Sequence, residues 1–140
     1  MREKTRMKVL GTHFLLELWN CNVVKANDPD YLQAVLSETA NILGAVVLKT
    51  LFQQFSPQGV SGVVLISQSH ISIHTWPEHG YAAVDIFSCG NESGLWKAAK
   101  YIEVKLEAVT ANTQDFKRGI PDTEGQQFQR GTCYPKPKGS

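Results

Sequence analysis

Residues 67–90, SQSHISIHTWPEHGYAAVDIFSCG, contain two runs of alternating apolar and polar residues around a Pro-Glu-His-Gly turn. A period of two is the signature of a β-strand, and two such runs joined by a short turn form an antiparallel hairpin. The alternation assigns faces. Ile71, Ile73 and Thr75 share one side of the first strand, and His70, Ser72 and His74 share the other. The isoleucines require a cover of helices, which leaves the histidines on the opposite face. A chain containing this hairpin must therefore build at least two layers.

The remaining sequence supplies the layers. VLGTHFLLELW reads as a strand over Val9–Trp19. NDPDYLQAVLSETANILGA reads as a helix, with Asp28 or Asp30 as its cap and Pro29 in its first turn. Leu32, Val35, Leu36, Thr39, Ile42 and Leu43 recur at helical spacing before Gly44 ends the helix. AVVLKTLFQQF, GVSGVVLISQ, HISIHTW and YAAVDIFSC read as four strands. ESGLWKAAKYIEVKLEAV is a second helix, striped by Leu95, Ala99, Ile102, Leu106 and Val109, and TANTQDFKRG is a last, edge strand. The expectation is an α+β fold: a two-layer sandwich, a mostly antiparallel sheet with two helices on one face. Residues 1–120 form a single domain, within which residues 1–6 are an untethered extension. Residues 121–140, rich in Pro, Gly, Gln and Lys, form a loose tail.

Composition narrows the function. A net charge of +1 over 140 residues, without a basic stripe, argues against nucleic acid or an acidic membrane as the main partner. The N-terminus has no apolar signal core, and no apolar run reaches the roughly 18 residues of a membrane span. Cys21, Cys89 and Cys133 include no CxxC pair, so neither a disulfide framework nor a zinc site is expected, and a reducing cytoplasm fits.

The reactive residues are ambiguous one at a time. His70 and His74 are either plain polar residues on an outer face or chemical groups. They are not a metal pair, because four residues of strand span about 13 Å. GVSGV around Ser61 is not a nucleophile elbow, and Ser69 and His70 point to opposite faces of a regular strand. Cys89 ends a strand, either as a small core residue or as a poised acid. Glu78 is either a solvated turn carboxylate or a ligand group. Asp85, in mid-strand, needs a hydrogen-bond partner if buried. Phe55 and Trp76 can serve as packing.

The contiguous pattern carries more. FSPQGVSGVVLISQSHISIHTWPEHGYAAVDIFSCG, residues 55–90, resembles the core of the bacterial and archaeal S-adenosylmethionine decarboxylase proenzymes, which are pyruvoyl-dependent decarboxylases. LGTHFLLELWNC resembles that family's first strand, and the resemblance spans roughly residues 7–120. It implies self-cleavage between Gln68 and Ser69. Ser69 becomes a pyruvoyl group, which forms a Schiff base with the substrate in place of pyridoxal phosphate. By the same resemblance His74 accepts a proton during processing, Ser61 assists processing, and Cys89 donates a proton during decarboxylation. Glu78 holds the ribose hydroxyls, and Phe55 meets the adenine or the sulfonium. The implied substrate is S-adenosylmethionine, whose decarboxylated product feeds spermidine synthesis. The implied assembly is a homodimer of cleaved chains with sites at the shared interface. One departure is Gln68, where the family carries glutamate. Alternatives are a related pyruvoyl enzyme for arginine or ornithine, or an inactive partner subunit.

Overall fold

The computed structural model describes residues 9–121. The expected extension at residues 1–6 and all but the first residue of the expected tail lie outside that range. The elements are β1 (Gly11–Trp19), α1 (Val23–Ala26), α2 (Pro29–Ile42), β2 (Val47–Gln54), β3 (Val60–Ile66), β4 (Ser69–Trp76), a 3-10 turn (Pro77–His79), β5 (Tyr81–Ser88), α3 (Glu92–Lys105) and β6 (Thr110–Arg118).

The six strands form one sheet in the order β2-β3-β4-β5-β1-β6, and every neighbouring pair is antiparallel. The run β2-β3-β4-β5 follows chain order. β1 instead inserts between β5 and β6, so β6 becomes an edge strand, as expected, and β2 becomes the other edge.

The alternation read from the hairpin is obeyed. Ile71 and Ile73 are fully buried, as are Phe14, Leu18 and Ile86 on the same face, while His74 is exposed. Helices α2 and α3 cover this face with Leu32, Val35, Leu36, Leu95, Ala98, Ala99 and Ile102. Each large aliphatic side chain removed from water contributes about 1.5–3 kcal/mol, which fixes the register of the whole sheet relative to the helices. Asp28 caps α2 by accepting from the Asp30 and Tyr31 N–H groups. Asn91 caps α3 by accepting from Gly94 N–H.

Gly62 is required by packing. A Cβ at this position would lie 2.0 Å from the Phe52 ring, which crosses the cross-strand partner position on β2. Gly80 is required by conformation: it closes the 3-10 turn at φ 62, and Asn20 backbone lies against it.

Three details depart from the sequence reading. β1 begins at Gly11 rather than Val9. α1, a four-residue helix capped by Asn22, was not anticipated; one turn carries no periodicity. The stripe of α3 stops at Leu106, because the helix ends at Lys105 and Glu107 takes a positive φ of 56. Val109, extrapolated as part of the stripe, is 76% exposed. Among the described residues no helix is long and apolar enough to cross a membrane.

Candidate active site

The turn between β3 and β4 carries the Gln68–Ser69 junction. Gln68 has φ 82 and Ser69 has φ 142, both in territory that L-residues with side chains avoid. Backbone held there costs roughly 1–3 kcal/mol per residue and persists only where neighbours impose it. The neighbours are visible. Ser67 N–H donates to Val46 O at 2.9 Å, and Ser67 Oγ accepts from Val46 N–H at 3.1 Å. On the far side, Ser69 pairs with Ile66 on β3 and with Ser88 on β5. The junction is thus clamped between two strands.

Cys89 follows Ser88 directly, and its sulfur lies 2.9 Å from Gln68 Oε1. The structure brings Gln68, Ser69 and Cys89 together, as the resemblance implies. No disulfide framework was expected, yet Cys89 is disulfide-bonded. A sulfur in that state has no proton, so the 2.9 Å approach becomes a hydrogen bond only on reduction. A cysteine count without a spacing motif does not say which sulfurs meet in space. Cys21 is free and buried, and burial pushes its thiol up to about 11.

A second group lies at the other end of the hairpin. Ser61 and His74 face each other across β3 and β4, and Ser61 Oγ lies 2.8 Å from His74 Nδ1. Glu78 follows on the 3-10 turn, exposed, and accepts a hydrogen bond from Gln58 Nε2 at 3.1 Å. Its own backbone N–H, and then the Gln58 amide, hold its carboxyl below the usual range. Phe55, half exposed, sits on the loop from β2 to β3. The structure does not bring this group to the first. Ser69 and His74 are five positions apart on one strand, about 17 Å along the chain.

Between the two ends, the outer face of the sheet carries a polar network. Asp85 accepts from the Ser72 hydroxyl and from His13 Nε2 at 3.1 Å, and His70 Nε2 is 3.7 Å away. Arg118 can only donate, so its 3.1 Å contact makes His13 Nδ1 an acceptor and leaves the ring proton on Nε2, facing Asp85. Burial pushes the Asp85 carboxyl up, but Ser72, His13 and the neighbouring imidazoles outweigh it and hold the group below its ordinary value. The partner that a mid-strand aspartate needs is therefore Ser72 together with His13. No metal was expected, yet ligand atoms of His13, His70 and Asp85 lie within 4.8 Å of one another. Their present contacts are those of a hydrogen-bonded network. His13, Gln58 and Asn27 were not singled out in the sequence, although His13 and Gln58 lie inside the stretches that carry the resemblance, because their partners lie 20 to 72 positions away.

The likenesses to known proteins agree with this geometry. A family model described as S-adenosylmethionine decarboxylase matches residues 12–119. The S-adenosylmethionine decarboxylase proenzyme of Clostridium tetani is 47% identical over 114 residues, covering 81% of this chain and 90% of that protein. The proenzyme of Pelotomaculum thermopropionicum is 46% identical over 118 residues, covering 84% and 94%. The crystal structure of the adenosylmethionine decarboxylase from Aquifex aeolicus VF5 superposes with a TM-score of 0.77 at 37% identity, covering 86% of this chain and 99% of that one. The motif at residues 55–90, the antiparallel sheet backed by helices and these likenesses converge: the chain belongs to the S-adenosylmethionine decarboxylase family.

Proposed function

We propose that this chain is the proenzyme of a pyruvoyl-dependent decarboxylase that acts on S-adenosylmethionine and supplies its decarboxylated product for spermidine synthesis in the cytoplasm. The observation that carries this reading is the clamped, positive-φ junction at Gln68–Ser69, next to Cys89. Backbone held out of its favoured wells stores strain that breaking the Gln68–Ser69 bond releases, which favours attack at that carbonyl. Ser69 Oγ attacks the Gln68 carbonyl carbon, the C–N bond breaks, and the acyl group moves from nitrogen to oxygen. Removal of the Ser69 α-proton then expels Gln68 as a carboxylate. The dehydroalanine left behind takes up water and releases ammonia, which leaves a pyruvoyl cap on the chain 69–140. The attacked carbonyl belongs to the backbone, so the Gln68 amide does not block the step.

The pyruvoyl group, once formed, supplies an electron sink for decarboxylation without pyridoxal phosphate. The chain's own residues do the rest. His74 accepts the Ser69 α-proton, and Ser61, hydrogen-bonded to its ring, fixes its orientation. Reduced Cys89 returns a proton to the substrate α-carbon. Glu78 holds the ribose hydroxyls, and Phe55 meets the adenine face or the sulfonium, a contact worth roughly 0.5–2 kcal/mol.

Because His74 is about 17 Å of strand from Ser69, the two meet only if they come from different chains. A homodimer of cleaved chains satisfies this, with Ser69 and Cys89 of one protomer facing Ser61, His74 and Glu78 of the other. The outer sheet face suits such pairing: Leu15, Leu51, Leu65, Trp76 and Phe116 all stand exposed on it. The test is carbon dioxide release from carboxyl-labelled S-adenosylmethionine, arginine and ornithine. Release from S-adenosylmethionine alone is expected. Release from arginine or ornithine instead would reassign the substrate, and release from none would make the chain a silent partner subunit.

A further inference from the structure

We infer that Gln58 and Asn27 are positioning residues for the substrate's ribose, holding the Glu78 carboxylate in one orientation through the loop between β2 and β3. The inference rests on the reading of Glu78 as the ribose-binding group.

A glutamate on an exposed turn samples many rotamers, and two vicinal hydroxyls bind well only to a carboxylate that faces them squarely. Gln58 Nε2 removes much of that freedom by donating to Glu78 Oε1 at 3.1 Å. A carboxylate accepts several hydrogen bonds, so this one contact leaves capacity for a diol. A glutamine is chemically apt at this position, because its amide donates to a carboxylate, whereas a glutamate in its place would repel one.

Gln58 can orient Glu78 only if its own loop is fixed, and one residue does much of the fixing. Asn27 Oδ1 accepts from Gly59 N–H at 2.8 Å, and Asn27 O accepts from Gln54 Nε2 at 2.7 Å. Phe55 N–H donates to Gly59 O at 2.8 Å and closes the loop on itself. Phe55 and Gln58 therefore ride on one short loop, pinned at both ends to the C-cap of α1. Beside it lies a cleft of about 580 Å³, lined by Val23, Val24, Asn27 and Asp28 together with Gln58, Pro77 and Glu78. Apolar walls with a few convergent polar groups are the usual form of a small-molecule site.

The experiment is steady-state kinetics on the processed enzyme with S-adenosylmethionine, with cleavage followed by intact mass. Gln58→Met keeps the length and loses the donor. It should raise KM about 3- to 10-fold and leave kcat and self-cleavage unchanged. Gln58→Ala should do the same. In a Glu78→Gln background, which itself raises KM, Gln58→Met should add nothing further. Asn27→Ala should behave as Gln58→Met does, and Asn27→Asp, which keeps an acceptor for Gly59 N–H, should recover most of the loss. If Glu78→Gln raises KM while the Gln58 variants do not, or if the two effects add in full, positioning by Gln58 is wrong and Glu78 keeps its role. If Glu78→Gln leaves KM unchanged, the ribose assignment falls and this inference falls with it.

Discussion

Coexpression of a Ser69→Ala chain with a His74→Ala chain distinguishes a shared site from a site built within one chain. The two residues sit on one strand, five positions apart. At about 3.3 Å per residue the separation is about 17 Å, against the roughly 3 Å that a proton acceptor can reach. Neither variant alone should cleave or turn over. In a mixed dimer of two-fold symmetry, one site collects both lesions and the other collects none. Random pairing makes about half of the dimers mixed, so about a quarter of the normal number of sites should be intact. The assay is intact mass together with carbon dioxide release. Cleavage should be confined to His74→Ala chains and reach about half of them. Activity should recover to about a quarter of the wild-type level. If the site were built within one chain, every site in the mixture would carry a lesion, and cleavage and activity would both be absent. That result would refute the cross-chain argument.

Four further outcomes are expected. Since disulfide-bonded Cys89 has no proton to give, decarboxylation should rise with a thiol reductant. Cys89→Ser should still cleave itself but turn over about 100-fold or more slowly, and normal turnover by that variant would remove Cys89 from the chemistry. Gly62→Ala places a Cβ 2.0 Å from the Phe52 ring, so a denaturation midpoint should report a loss of about 1–3 kcal/mol, and an unchanged midpoint would contradict the packing. The Asp85 carboxyl is held below its ordinary value in the fold. Its stabilising contribution is therefore complete above the unfolded value of about 3.9 and is lost as pH falls through the lower folded one. The stability gap between wild type and Asp85→Asn should narrow below about pH 4, and a gap independent of pH would show that the carboxylate is not held by its partners.

What could be read from the chain was local. Alternation placed Ile71 and Ile73 inside and His74 outside, because strand period and burial are one fact seen twice. The cap of α2 was legible for the same reason: Asp28 and the N–H groups it accepts from are two or three positions apart. The insertion of β1 between β5 and β6 was not legible, since nothing in residues 11–19 names their partners. Asp85 and His13 meet across 72 positions, and Asn27 reaches Gly59 across 32. The strain at Gln68 and Ser69 follows from the self-cleavage that the resemblance implies, which needs an enforced geometry there, but no local residue type signals it. Positive φ is normally signalled by glycine or asparagine, and here it is imposed by the flanking ladders on residues that do not favour it. Motif resemblance offered candidate site residues where periodicity offered none, but it placed His74 and Ser69 in one site without revealing that a single chain keeps them apart.

The most direct test of the central claim is the intact mass of the freshly purified protein. Self-cleavage predicts two fragments, residues 1–68 and residues 69–140, the second beginning with a keto group and lacking a free amine. A single species at 15.5 kDa with an unmodified Ser69, from correctly folded material, would contradict it.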